Sequence, residues 1–446
     1  MLRIHPIFRF ACVSWAPMAQ MRAFLVFFFL TSAAFAQSPA PLSITFADAL
    51  QRARQYGIEL QTANIAALLS REDRIQAKAA FLPQTQQVDT FIYTQPNGTA
   101  SGVFVPNDGP HVYYVYAQAH EDWSPAKRAE YHRTLAAEAL AKAKADMAAR
   151  GLFGTVVQDY YGLAIAQRKL ANAEQSLRDA QAFQDITQKQ EKGGEAAHAD
   201  VVKAQLQTQQ RERDVSDAQL AIDKARLTLA VLLFPDFQQN FTVVDDLEQM
   251  PPLASLDEVQ SRALAKSPEL RAAQASIRQE EAGVSAARAA YLPALSFDYF
   301  YGLEANQLAL EDHEHHNNLG SVVQAGMTIP LWNWGATQSK VRQAQLRQQQ
   351  AKLELSLAQR QLLANLNSSY REAQLAQTQL NSLRDSLDLS RESLRLTNLR
   401  YQAGEATALE VVDAQTTLAA ARNALDDGLS RYRLALATIQ TLTGNF

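Results

Sequence analysis

The chain has 446 residues, a formal net charge of −4 and a single cysteine, Cys12. The small net charge gives no reason to expect a nucleic-acid partner, and one cysteine excludes an internal disulfide and a cysteine-based metal site. Glycine (17) and proline (15) are scarce, whereas alanine, glutamine, leucine, arginine and glutamate dominate long stretches, a composition typical of long helices.

An export signal is predicted at the amino-terminal end. Arg22 precedes an apolar run at residues 23–30, and Ala34-Phe35-Ala36 has the small-residue pattern of a signal-peptide cleavage site. We therefore predict a signal peptide at residues 1–36, with Met21 as an alternative start. No later apolar run approaches the roughly 18 residues that a membrane-spanning helix needs.

The remaining sequence repeats itself at a constant offset of 210 positions. Ala80-Phe81-Leu82-Pro83 recurs as Ala290-Tyr291-Leu292-Pro293, and Gly194-Glu195-Ala196 recurs as Gly404-Glu405-Ala406. A gap-free offset over such a distance indicates two copies of one structural unit. The predicted domains are a first repeat at 37–234, a linker at 235–252 and a second repeat at 253–446.

The first repeat is predicted to place two strands between long helices. Its predicted elements are a helix at about 58–83, strands at about 84–94 and 112–120, and helices at 125–192 and 195–234. Ser124 and Pro125 suit a helix start, and Gly193 and Gly194 suit the turn between the last two helices. Glycines within the 125–192 helix are expected to weaken it locally.

The second repeat shows the same order more clearly. Its predicted elements are helices at 256–267 and 268–290, strands at 295–302 and 323–331, and helices at 336–401 and 407–442. Apolar residues alternate in the first strand, as in Leu295, Phe297 and Tyr299. The 336–401 segment lacks proline and glycine and corresponds to about 100 Å of helix. Gly404 then turns the chain.

These elements predict a mainly α fold with a small β part. In each repeat the two shorter helices together match the long one. This gives one continuous and one broken helical column, with a strand pair on top. Four strands cannot close a sheet alone, since roughly eight are needed. Three chains in cyclic symmetry leave no free edge. Three chains would give twelve strands and twelve helical columns, and a tube with a long antiparallel coiled coil is the natural solution.

The order of motifs resembles a known family. The tandem repeat, the A-x-L-P sequence before each first strand, the stretch P-L-W-N-W-G at 330–335, and Tyr401-x-x-Gly404 followed by E-V-V-D-A-Q at 410–415 resemble the TolC-like outer-membrane efflux channels, or outer membrane factors. The resemblance covers essentially the whole chain after Ala36. It implies a homotrimer with a twelve-stranded outer-membrane barrel, to which each protomer gives four strands, continued by a long coiled-coil tunnel in the periplasm. It also implies a passive export channel without a cofactor. Its implied partners are a periplasmic adaptor protein, an inner-membrane pump and outer-membrane lipid.

The resemblance also implies a constriction at the periplasmic helix turns. In that family an acidic pair one turn apart lines the mouth, and Glu410 and Asp413 occupy those positions here. Their i, i+3 spacing places both on one helical face, and threefold repetition would produce two acidic rings that favour cations. The helix-turn tips are Gly193, Gly194 and Gly404. A solvated acidic face is the alternative interpretation of the pair.

Contacts that keep such a mouth closed are matched only in part. The family links an aspartate, a tyrosine and an arginine near the turns, and Asp200 and Tyr401 match the first two. Ala406 occupies the place of the arginine, so part of that closure is missing. Tyr401 in ordinary packing is the alternative to a gating role.

A histidine-rich loop between the last two strands suggests a different chemistry. Imidazole and carboxylate side chains are ligand types that Zn²⁺ and Cu²⁺ accept. The cluster contains His313, His315 and His316, flanked by Glu311, Asp312 and Glu314. A flexible polar loop is the ordinary interpretation, and we assign no metal site.

The absence of catalytic motifs favours a conduit over an enzyme. The sequence contains no Ser/His/Asp combination, phosphate-binding glycine loop or HExxH motif. A periplasmic coiled-coil adaptor or scaffold is the main alternative, although it leaves four amphipathic strands unexplained. A secreted metal-binding module or metalloenzyme built on the histidine loop is a third possibility.

Overall fold

A computed structural model describes residues 42–93, 111–311 and 315–444. The predicted signal peptide at 1–36 and the loop residue His313 lie outside these residues. In chain order the elements are β1 (Leu42–Ile44), α1 (Phe46–Tyr56), α2 (Ile58–Ala79), β2 (Gln84–Tyr93), β3 (His111–Trp123), α3 (Pro125–Gly193), α4 (His198–Leu233), β4 (Phe241–Val243), α5 (Leu256–Lys266), α6 (Pro268–Ala289), β5 (Ala294–Ala305), β6 (Leu319–Thr328), α7 (Ala336–Gln402) and α8 (Ala408–Thr443).

Corresponding helices of the two sequence repeats have the same or nearly the same length. Helices α1 and α5 each have 11 residues, α2 and α6 each have 22, and α4 and α8 each have 36. The long helices α3 and α7 have 69 and 67 residues. The duplicated sequence pattern is therefore also a duplicated order of elements. The domain boundaries at residues 234 and 253 stay predictions.

One antiparallel sheet joins the two repeats, in the strand order β2-β3-β5-β6. Strands β3 and β5 pair at its centre, and β2 and β6 form its edges. The last strand was predicted at 323–331 but runs from Leu319 to Thr328. Its ladder ends where Thr328 pairs with Ala294, because Pro293 and the end of α6 leave β5 no earlier residue to pair.

The helices form four columns. Helix α3 packs against α2 and α4 on one side and against α6 and α8 on the other, and α7 packs against α6 and α8. The column order is therefore α2 with α4, then α3, then α6 with α8, then α7. One margin of the bundle is α2 with α4, and the other is α7, in the same order as the edge strands β2 and β6.

The main core lies midway along the columns, where α1, α5 and the parallel pair β1–β4 cover α3 and α8. Phe46 packs edge-on against Tyr160, with ring centroids 5.5 Å apart, and the Tyr160 hydroxyl donates to the Val244 carbonyl at 2.8 Å. Leu229 and Leu366 are fully buried in the same cluster. Within the described ranges no helix is long and apolar enough to cross a membrane.

Candidate functional site at the helical turns

Two glycine turns reverse the chain at the far ends of the long helices. Gly194, after α3, has φ 76°, and Gly404, after α7, has φ 74°. This left-handed conformation is one that glycine adopts without a steric penalty, and it lets the amide N–H groups after the helix bond back to its last carbonyls. Gly193 is the last residue of α3. The structure therefore places Gly194 and Gly404 in the turns and Gly193 at the end of the helix before the first of them.

The turn after α7 is fixed by a reciprocal cap on α8. The Glu410 amide donates to Thr407 Oγ1 at 3.3 Å, and the Thr407 amide donates to Glu410 Oε1 at 3.1 Å. This arrangement satisfies two backbone donors that the start of a helix otherwise leaves unpaired. The Glu410 carboxylate, predicted to line a constriction, is thus also part of the local cap.

Arg400 holds the same turn from the end of α7. Its Nη2 donates to the Glu405 carbonyl at 3.0 Å, and its Nη1 lies 3.4 Å from Glu410 Oε2. The pKa of the Glu410 carboxyl is below its ordinary value, first because the Thr407 amide and hydroxyl donate to it and then because Arg400 is near. Because the folded-state pKa is lowered, this stabilisation is present at neutral pH and is lost as acid protonates the carboxyl.

Sequence reasoning missed Arg400, although a basic residue in the last turn of a helix is a known partner for free carbonyls. It lies on the opposite side of the turn from Ala406, where the resemblance led us to expect an arginine. Arg400 therefore supplies a guanidinium to this turn from a different position in the sequence.

Arg400→Gln is expected to loosen the turn without unfolding the helices. Exposed ion pairs are weak, so we expect hydrogen–deuterium exchange of residues 402–408 to rise by roughly two- to fivefold. Arg395→Gln is the matched control, since Arg395 bonds Glu392 within its own helix at 2.7 and 2.8 Å. Equal exchange at 402–408 in both variants would show that Arg400 does not hold the turn.

Asp413 lies one helical turn after Glu410 on the exposed side of α8. Asp413 and Glu410 are exposed, whereas Val411 and Ala414 are buried in the bundle. The structure thus brings the two predicted acidic residues onto one accessible face, as their spacing requires. Whether they face a pore depends on neighbouring protomers, so the acidic constriction stays a prediction.

Tyr401 lies inside the bundle. Its side chain is 6% exposed, its ring packs edge-on against Phe183 with centroids 5.1 Å apart, and its hydroxyl donates to Thr187 Oγ1 at 3.4 Å. Both partners belong to α3, so Tyr401 connects α7 with α3 close to the turns. These contacts support the packing interpretation within one protomer, and the gating role stays a prediction.

Asp200 lies in the first turn of α4, where it is half-buried. Because the Tyr401 hydroxyl bonds Thr187, one protomer does not bring Asp200 and Tyr401 together as a hydrogen-bonded pair.

The turn before α4 also differs from the turn before α8. Helix α4 begins at an N-cap without a side-chain hydrogen bond, and His198 Nδ1 lies 2.6 Å from Glu191 Oε1 across the turn.

The predicted histidine loop lies between β5 and β6. His315 Nδ1 is 3.7 Å from Glu311 Oε2, and both side chains are largely exposed. Among the residues that the structure describes, no group of three or more histidine, cysteine, aspartate or glutamate side chains has the geometry to hold a metal ion. His316 belongs to the described loop, and His313 does not.

Comparisons with known proteins show which family model and which proteins this chain resembles. A family model described as outer membrane efflux protein matches residues 259–445. The chain is 25% identical over 291 residues to the pyoverdine export outer membrane protein OpmQ of Pseudomonas putida, which is 65% of this chain and 59% of that protein. It is 25% identical over 285 residues to the cation efflux system protein CusC of Escherichia coli strain K12, which is 62% of this chain and 60% of that protein. The chain thus matches less than two thirds of the length of either relative.

Solved structures share the fold. The crystal structure of the Campylobacter jejuni CmeC outer membrane channel superposes with a TM-score of 0.80, covering 90% of this chain and 85% of that chain at 16% sequence identity. This similarity confirms the predicted fold class, a mainly α chain with long antiparallel helices and a small β part.

Proposed function

We propose that this chain, whose residues 259–445 match a family model described as outer membrane efflux protein, is the outer-membrane channel of a tripartite export system. In this proposal three copies form a homotrimer whose helices extend into the periplasm. A periplasmic adaptor and an inner-membrane pump deliver the cargo, and the channel conducts it passively without catalysis. The two relatives are named for different cargoes, so the proposal concerns the conduit and names no cargo.

The observation that carries this proposal is that the sheet and the helical bundle leave the same two margins uncovered. Strands β2 and β6 each have one unpaired side within the described sheet, and an unpaired strand side is a template for another chain. The helical margins beside them expose apolar side chains. These are Ile65, Leu68 and Leu69 on α2 and Leu346, Leu353 and Leu357 on α7. Joining one copy's α7 and β6 margin to the next copy's α2 and β2 margin covers both at once.

Cyclic repetition of this contact produces a closed tube. Three copies bring together twelve strands and twelve helical columns, enough for a closed sheet around a channel. The acidic residues Glu410 and Asp413 of each copy then form two rings near the helical turns. Such rings attract cations and repel anions.

Replacing both acidic residues tests this proposal. We expect Glu410→Ala with Asp413→Ala to reduce block by multivalent cations in planar bilayers by roughly tenfold or more, because two rings of three carboxylates are removed. Asp385→Ala with Asp388→Ala is the control, since it removes the same charge at the same spacing from an exposed part of α7 before its last turns. Equal block in the wild type and the Glu410 and Asp413 variant would contradict the acidic constriction. A wild-type protein that forms no channels would contradict the conduit itself.

A further inference from the structure

A chain of polar side chains crosses one face of the sheet close to α3. Gln86 Nε2 donates to Gln118 Oε1 at 2.8 Å, and Gln118 Nε2 donates to Asp298 Oδ1 at 3.0 Å. His120 connects Asp298 to Asp122, and Lys127 Nζ lies 3.6 Å from Asp122 Oδ2. These six residues, here called the His120 cluster, are Gln86, Gln118, His120, Asp122, Lys127 and Asp298.

His120 is placed between two carboxylates. Its Nδ1 lies 2.6 Å from Asp298 Oδ1, and its Nε2 lies 3.1 Å from Asp122 Oδ2. A neutral imidazole carries one N–H and an imidazolium carries two. Because carboxylate oxygens only accept, both contacts are satisfied when His120 is the cation. Loss of its proton leaves one nitrogen lone pair facing a carboxylate.

The strand register shows which face of the sheet carries the cluster. His120 pairs with Asp298 and with Gln84, and Gln118 pairs with Gln86, so these polar side chains share one face. The opposite face is largely apolar. It carries Val115, Leu295, Phe297, Tyr299, Tyr301, Leu303, Val323 and Met327. In a closed membrane sheet the apolar face meets lipid and the polar face lines the lumen. The inference therefore rests on the proposed function.

The charge of the cluster depends on the protonation of His120. Asp298 faces His120 from β5, Asp122 from its own strand and Lys127 from α3, while Gln84 opposite it on β2 is uncharged. With His120 protonated, two carboxylates are balanced by an imidazolium and an ammonium. Loss of the His120 proton adds one negative charge in each protomer and three in a ring of three protomers.

We propose that His120 sets the ion selectivity of the channel lumen at the junction between the strands and the helices. Three copies of the His120 cluster form a ring that is nearly neutral when His120 is protonated and anionic when it is not. An anionic ring favours cations over anions, so the channel becomes more cation-selective as the pH rises. This ring is separate from the acidic residues near the helical turns.

Reversal potentials across a planar bilayer under a KCl gradient test the proposal. Between about pH 5 and about pH 9 we expect the K⁺/Cl⁻ permeability ratio of the wild type to rise by roughly two- to threefold. His120→Gln is neutral throughout, so its ratio is expected to stay near the wild-type value at high pH. His120→Lys is cationic throughout, so its ratio is expected to stay near the wild-type value at low pH.

His132→Gln is the control, because His132 lies exposed on α3 and is not a member of the His120 cluster. Its loss should leave the wild-type rise of the permeability ratio with pH unchanged. Trimers of each variant are first isolated on gels, so that only assembled channels are compared. A rise of the permeability ratio with pH that persists in His120→Gln would overturn the proposal. The absence of such a rise in the wild type would also overturn it. Failure of both His120 variants to assemble would make His120 a structural residue and would also overturn it. A wild type without conductance would instead remove the proposed function.

Discussion

Leu380→Pro is expected to abolish assembly of the proposed trimeric channel. Leu380 is fully buried well inside α7, the uninterrupted 67-residue column at one margin of the bundle. Proline removes a backbone hydrogen bond and clashes with the carbonyl one turn earlier, at a cost of about 3 kcal/mol or more. A kink at this point also displaces the exposed α7 side chains that are proposed to meet the next protomer. Heat-modifiable trimers in outer-membrane fractions provide the measurement.

Leu380→Ala separates the two causes of that loss. It keeps the helix intact and leaves a cavity, which costs about 2–5 kcal/mol at a buried leucine. We expect fewer trimers than in the wild type but more than in Leu380→Pro. Equal loss in both variants would assign the defect to packing alone, and abundant functional trimers of Leu380→Pro would contradict the continuous α7 column.

Long regular elements could be predicted from the sequence because their signals are local. Helix α7 was predicted at 336–401 and runs from Ala336 to Gln402, since no proline or glycine interrupts it and a left-handed glycine follows it. Duplication strengthened each of these predictions, because a boundary that was weak in one repeat was clear in the other. The shared helical face of Glu410 and Asp413 could likewise be predicted, since their spacing alone places both residues on one face.

Helix α3 shows how packing offsets local propensity. It was predicted at 125–192 with local weakening at Gly151, Gly154 and Gly162, and it is continuous from Pro125 to Gly193. Large residues between these glycines, such as Phe153 and Tyr160, are buried in the main core. Burial of several such side chains outweighs the roughly 1 kcal/mol that each glycine costs relative to alanine.

Contacts between distant segments could not be predicted. His120 and Asp298 are 178 positions apart and meet only because β3 pairs with β5 across the two repeats. No duplicated motif marks that register, since the pairing joins one repeat to the other. Arg400 and Glu410 are closer in sequence, but the path of the chain through the turn decides whether they meet. Tyr401 was assigned by resemblance, and its buried contacts with Phe183 and Thr187 required the packed helices.

Gly302→Ala is expected to prevent the sheet from forming as one unit. A Cβ atom at Gly302 would lie well inside 3.0 Å of the Val115 carbonyl oxygen and the Tyr116 Cα. These are backbone atoms of the paired strand β3, which cannot move aside without breaking the ladder, so we expect a cost of about 1–3 kcal/mol or more. The β3–β5 pair is the only connection between the two hairpins of the described sheet. A two-stranded hairpin alone is marginally stable at best.

Gly320→Ala is the matched control, because Gly320 pairs directly with Gly302 and, apart from its chain neighbours, no atom of the described residues lies within 4 Å of its added Cβ. We expect heat-modifiable trimers to be lost in Gly302→Ala and retained in Gly320→Ala, although the helices of both variants keep their circular dichroism. Trimers of Gly302→Ala with wild-type heat stability would mean that β3 and β5 are spaced more widely in the assembled channel. In that case the His120 to Asp298 contact, which depends on the same strand pair, would also be absent.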